Sequence, residues 1–256
     1  MNNILPIFSS HYSVGRSILT LEDPSKIKTD EGPDSIFSIL KEENVNQLIL
    51  LEDNMRSDIE SFRYCEKNNI QLIYGVRVYV NDLSFEAKKD LRKHRLCIFA
   101  RNSQGIFDLR KLFNAFSLKE DLFFTSDELK KYWTDNLKLV IPFYDSFLFY
   151  NTLTFTNMIF ELDFYKDVEF FVENNHLEFD FILKNMVEKF CKNKYLISNI
   201  KSIYYKNKED IDAYLTYKIA CSRSLYGKPK TLEEPGIDNF TSNEFCIESW
   251  KEQNKC

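Results

Sequence analysis

The sequence predicts an α/β fold built on a parallel sheet, either an open doubly wound sheet or a closed barrel. Three observations point there. Seven short apolar runs alternate with amphipathic segments along the chain. Glycine and proline number only six each, so breaks in the chain are few. Hydrophobic residues make up 44% of the 256, enough apolar material for a large core. With no internal repeat and no linker composition, residues 1–256 read as a single domain.

Each element follows in order. Residues 4–8, ILPIF, form a short apolar strand. Asp34 is placed to N-cap a helix through SIFSILKEE, in which Ile36, Ile39 and Leu40 share a face. Residues 47–52, QLILLE, read as a buried strand of the kind found in parallel sheets. SDIESFRYCEKNN is a helix with Ile59, Phe62 and Cys65 inward, and residues 70–80 are the third strand. Residues 95–100 are the fourth strand, followed by a helix with Ile106, Leu109, Phe113 and Phe116 at helical spacing. Ser126 begins a short helix with acidic residues in its first turn. Residues 137–143 are the fifth strand, and a helical stretch starts at Asp145. Residues 168–173 are the sixth strand; Phe181, Met186, Val187 and Phe190 form the apolar face of the next helix. Residues 195–200 are the seventh strand, leading to a helix N-capped by Asn207. The tail from Leu225, with KPK at 228–230, reads as an irregular solvated stretch.

Composition narrows the function classes. Charged residues are 29% and the net charge is −5, which fits neither a disordered acidic tail nor a basic nucleic-acid coat. No apolar run nears the ~20 residues of a membrane span, and MNNILPIF lacks the features of a signal peptide, so a cytoplasmic protein is expected. Asn occurs 22 times and Ala five times, a bias toward AT-rich codons that accounts for much of the polarity. Only three His are present, a poor supply of ligands for a multi-metal hydrolase. The cysteines Cys65, Cys97, Cys191, Cys221, Cys246 and Cys256 show no C-x-x-C spacing, so free thiols are expected, with Cys97 and Cys191 buried as small apolar residues. The nucleotide and hydrolase signatures G-x-G-x-x-G, G-x-x-x-x-G-K-[ST] and G-x-S-x-G are absent.

In a barrel the chemistry lies at the carboxyl ends of strands. Here these read SSHYS, EDN, GVR and SNIKS. IFSSHYS at residues 7–13 resembles the opening H-x-H-[ST]-x-Y-S of the polymerase-and-histidinol-phosphatase (PHP) domain that begins bacterial DNA polymerase III alpha subunits. LLEDN, a helix, then NIQLIYGVRVYV resembles its second block, L-T-D-H followed by G-I-K-P-I-I-G-x-E-x-Y-V. HRLCIFARNSQGIFDL at 94–109 resembles the third, H-L-x-L-L-A-x-N-x-x-G-Y-x-N-L. LISNIKSIYYKNKED resembles V-A-T-N-D-x-H-Y with P-E-D, and NFTSNEF the segment that closes the domain. The blocks keep their order over almost the whole chain.

The resemblance implies a distorted parallel (β/α)7 barrel, TIM-like, and a role in DNA replication. Family members that hydrolyse phosphoesters hold metals at the barrel mouth, where cations offset phosphate charge and generate hydroxide. At the matching positions this chain has Ile7 and Ser9 for the two opening His, Asp53 for the Asp, Asn54 for its His, Arg77 for a Glu and Arg95 for another His. His94 is one position off, on the other side of its strand. Ser202 and Tyr204 fall near the last Asp and His. No catalytic residue, bound metal or other cofactor is therefore expected; what remains is a polar cluster of Ser9, His11, Glu52, Asp53 and Arg77. His11 occupies a variable position of the motif and His176 a solvated loop. Tyr12 and Ser13 serve packing and turn hydrogen bonding, and Arg77 is expected to pair with Asp53 or Glu52 as a cation in place of metal.

Related alpha subunits continue into palm and fingers, whereas this chain stops where the PHP portion would end; without a palm it would not polymerise DNA by itself. Three readings follow. The first is a non-catalytic module in replication that binds the polymerase core or the proofreading exonuclease. The second is a phosphoesterase or 3′–5′ exonuclease on a reduced metal set of His11, Glu52 and Asp53. The third is a decoy that binds a host replication protein. The acidic pI near 5.4 favours a protein partner over direct nucleic-acid binding.

Overall fold

The computed structural model describes residues 4–26, 32–81, 93–221 and 242–255. Its seven strands are β1 (Leu5–Phe8), β2 (Gln47–Glu52), β3 (Gln71–Asn81), β4 (Lys93–Ala100), β5 (Leu137–Ile141), β6 (Glu169–Val172) and β7 (Leu196–Ile203). They hydrogen-bond in sequence order as a closed barrel with helices around it. The barrel is mixed. β5, β6, β7, β1 and β2 pair in parallel, with Leu5 opposite Ile200 and Ile7 opposite Ile49. β4 runs against both of its neighbours, which departs from the expected all-parallel order. The chain length explains the reversal: only residues 82–92 separate β3 from β4. A parallel return needs a crossover of a dozen residues or more.

Two compact units are present. The first comprises Met1–Leu72, Asn174–Leu177 and Ile200–Cys256. In it α1 (Ile36–Glu42) starts one residue later than the sequence suggests, because Ser35 rather than Asp34 accepts the Phe37 amide. The predicted inward residues Ile36, Ile39 and Leu40 are buried there, with Phe37. Strand β2 has Leu48 to Glu52 buried, as its unbroken apolar run requires. On α2 (Asp58–Lys67) the buried residues are Asp58, Ser61 and Cys65, while Ile59 and Phe62 are each 52% exposed. The predicted face is thus rotated. Ser61 can turn inward because its hydroxyl bonds the Ser57 carbonyl one turn back. A 3₁₀ turn capped by Asn207 and Asp210 leads into α7 (Ile211–Cys221). Helix α8 (Ile247–Lys255) ties back to the chain start: Trp250 donates to the Ile4 carbonyl and Asn254 accepts the Ile4 amide.

The second unit comprises Ile73–Glu173 and Glu178–Asn199. Helix α3 (Ser103–Ser117) buries Leu109 and Phe116 as expected, with Leu112 also inward. Asn102 caps it through the Gly105 amide, and Gly105 is required for space, since a Cβ there would lie 2.5 Å from the Asn136 carbonyl oxygen. Helix α4 (Ser126–Tyr132) carries a capping box between Thr125 and Glu128. Helix α5 (Phe147–Leu153) is capped by Ser146. The largest correction concerns α6 (Asp180–Cys191), which buries Asp180, Leu183, Val187 and Cys191. Phe181, Met186 and Phe190 face outward instead, with Phe181 74% exposed. The reason is local. The Tyr144 hydroxyl donates to Asp180 at 2.8 Å, so a buried polar anchor at the first turn fixes the helix rotation.

Cys97 and Cys191 are buried, as are Cys65 and Cys246; burial pushes the Cys65 and Cys191 thiols up to about 11. The segment KPK lies outside the described residues.

Candidate functional site

The carboxyl ends of β7, β1 and β2 lie side by side in the first unit, because these strands are parallel and in register. The loop after β1 folds over the end of β2. Ser9 donates to the Leu51 carbonyl at 2.6 Å. Glu52 is fully buried and accepts from the Ser10 amide at 3.1 Å and the Ser10 hydroxyl at 2.5 Å. The Ser13 hydroxyl also donates to Glu52 and accepts the Asp53 amide at 2.8 Å. A buried carboxylate is tolerable on such terms, since hydroxyl and amide donors replace its lost water.

Asp53 pairs with Arg16, which donates through Nε at 2.8 Å, with the two side chains 30% and 18% exposed. The Arg16 guanidinium lies 6.0 Å from the centre of the Tyr204 ring. Asn54 donates to the Tyr12 carbonyl at 2.6 Å and accepts the Arg56 amide. Tyr12 donates its hydroxyl to Glu60, and that bond, with burial and the carboxylate's charge, holds the phenol above its ordinary value. Ile7 is buried and brings no donor atom. His11 is exposed, with its ring tilted by 32° against that of Tyr12 and the centres 4.3 Å apart. Ser202 is buried on β7 opposite Ile7. Tyr204 stacks on Phe245 and Tyr214, and its carbonyl accepts from Ser17 and Ile18. Of the expected cluster, then, Ser9, Glu52 and Asp53 meet at the end of β2.

The other two matched positions belong to the second unit. Arg77 is 8% exposed on β3, opposite Cys97 on β4. Arg95 donates to the Tyr79 hydroxyl, stacks over that ring at 4.7 Å and pairs with Asp145 at 3.5 Å. Its amide also donates to the Asp145 carbonyl, so Arg95 clamps the turn that follows β5. His94 is fully buried against the edges of Phe147 and Phe160.

Sequence reasoning missed a second polar centre in the first unit. Lys201 of β7 is fully buried, donates to the Asn174 carbonyl at 2.8 Å and lies 3.5 Å from Glu244. Glu244 also accepts from Ser249 at 2.6 Å and pairs with Lys208 at 3.5 Å, with His176 at 4.0 Å. Burial alone would raise the Glu244 carboxyl, but Ser249, Lys201, Lys208 and His176 together hold it below the ordinary value. The signal was available: a lysine inside an otherwise strand-like SNIKSI run sits where a buried charge must find a partner.

The donor set does not suit the metal cluster that the family resemblance implies. At the positions that the resemblance would match to ligands stand two guanidinium groups and an isoleucine, and the Asp there is engaged by Arg16. Among the described residues no three His, Cys, Asp or Glu side chains gather as a cation site needs. No helix among them is long and apolar enough to cross a membrane. Neither a protein-family model nor a curated protein matches the chain.

Proposed function

We propose that the chain is a PHP-like module of DNA replication that binds other proteins and has no hydrolytic chemistry of its own. One observation carries the reading: both carboxylates at the end of β2 are committed inside the fold, Glu52 to Ser10 and Ser13 and Asp53 to Arg16. A phosphoesterase needs such oxygens directed at cations and substrate; here they hold a loop in place. The order of the sequence blocks supports the family, and the seven-strand barrel is compatible with its distorted, TIM-like (β/α)7 form. On this reading the protein works in the cytoplasm, and its partner is the polymerase core or the proofreading exonuclease.

The test mixes the purified full chain with each of these two replication proteins from the native cell and follows co-elution and heat of binding. A defined complex with either one is expected, together with no manganese- or zinc-dependent release of nucleotides from 3′-labelled DNA. No complex with either protein, or hydrolysis that disappears in Asp53→Ala, would overturn the proposal, and the second result would install the reduced-metal phosphoesterase in its place.

A further inference from the structure

Helix α6 presents an outward apolar stripe that its own unit does not cover. Ile182, Met186 and Phe190 stand at i, i+4 and i+8, and are 54%, 38% and 42% exposed. That spacing puts them in one row, about two helical turns long. The row flanks the buried face of Leu183, Val187 and Cys191 without belonging to it. Phe190 is steadied on its inner side by Phe147, Phe170 and Tyr195, so the end of the row is held in a fixed position.

Beside the C-terminal half of the row the charge is mainly basic, while the exposed Glu178 precedes its first residue, Ile182, by four positions. Lys189 lies seven residues after Ile182, hence on the same side of the helix, and Lys192 follows at the C-cap. Both are exposed, and among the described residues neither has an ion-pair partner. The acidic residue nearby, Glu188, is taken up by Lys184 at 3.9 Å, and Lys194 by Asp163. A basic edge on a chain of net charge −5 is a local feature that the average hides.

We propose that this face is a docking site for an acidic amphipathic helix of a partner protein. The apolar residues of such a segment, at i, i+4 and i+7, would lie along Ile182, Met186 and Phe190. Its carboxylates would meet Lys189 and Lys192, fixing direction and speeding encounter. Met186 at the centre suits this use, because an unbranched thioether adapts to varied apolar surfaces. The inference rests on α6 alone and stands or falls apart from the replication reading.

The probe is a synthetic helical peptide with Leu at i, i+4 and i+7 and flanking Glu, beside a twin in which every Glu is Lys. Titrated into the full chain labelled at Ile and Met methyls, the acidic peptide should shift Ile182 and Met186, bind at least tenfold tighter than the twin and weaken with salt. Met186→Asp should reduce its binding at least tenfold while the thermal melt stays unchanged. Lys189→Glu should invert the preference toward the Lys twin, which a general loss of folding would not do. Equal binding of the two peptides, shifts confined to other methyls, or insensitivity to both substitutions would overturn the site. Sedimentation showing a dimer that Ile182→Asp dissociates would overturn it as well, by assigning the face to a second copy.

Discussion

At Ser13 one hydroxyl donates to Glu52 and accepts from the Asp53 amide, so losing a single oxygen takes one donor from Glu52, which keeps Ser10, and one acceptor from the Asp53 amide. Ser13→Ala should cost about 2–3 kcal/mol, the range for a charge-assisted bond plus a stranded amide. Urea melts measure it, and a loss below about 0.5 kcal/mol would mean that solvent reaches the β2 terminus. The Arg16–Asp53 pair is partly exposed, so its double-mutant coupling should be about 0.5–1 kcal/mol and fall with salt. A second cycle on Arg77→Ala and Asp53→Asn tests the expected cation in place of metal: additive effects there would leave Arg16 as the cation that Asp53 uses. Glu244 makes a prediction in pH. Its folded carboxyl lies below the ordinary value, so its contribution is fully present above about pH 4.5 and is lost as pH falls through the folded value. Stability should therefore rise with pH across that window, and Glu244→Gln should flatten the rise in melts taken between about pH 3 and 6.

Among the elements, β7 and α6 show how one buried polar group sets the position of a whole segment. Lys201 sits fully buried on β7, and replacing it with Met takes from Glu244 its one fully buried cation and leaves Lys208, Ser249, Gln253 and His176 beside it. A loss of about 3 kcal/mol is expected, partly recovered in Lys201→Met with Glu244→Gln, because the unmatched buried charge is then removed. On α6 the Tyr144–Asp180 bond turns Leu183 inward and Phe181 outward. Leu183→Ala should cost about 2–5 kcal/mol as a core cavity. Phe181→Ala should stay within about 0.5 kcal/mol as a surface change. Similar losses at the two positions would mean that the helix is rotated back to the face its sequence pattern suggests.

For the molecule as a whole, the acidic balance argues against nucleic acid as a direct ligand. Binding to DNA depends on neutralised phosphates and the counterions they release, and a net charge of −5 opposes this over the average surface. Fluorescence anisotropy with labelled duplex DNA at about 150 mM salt should show no saturable binding at micromolar protein. Saturable binding with a steep salt dependence would replace the protein-binding proposal with a nucleic-acid one.

The sequence by itself determined the order and approximate bounds of the strands among the described residues, because each is centred on a mainly apolar run whose content does not depend on its neighbours. It also determined that Ile7, Asn54, Arg77 and Arg95 carry neither a carboxylate nor an imidazole, since side-chain chemistry is set by identity. Tertiary structure decided the rest. The reversal of β4 follows from a connection too short to cross over, which no strand pattern records. Which face of α2 and α6 is buried depended on Ser61 and Asp180, polar residues made tolerable inside by bonds to the Ser57 carbonyl and to Tyr144. The partner of Asp53 was decided by a loop that brings Arg16 back from 37 positions away, and the partner of Lys201 by a Glu 43 positions on. Apolar burial is written locally, residue by residue; the pairing of buried charge is written in distances that exist only after the chain has folded.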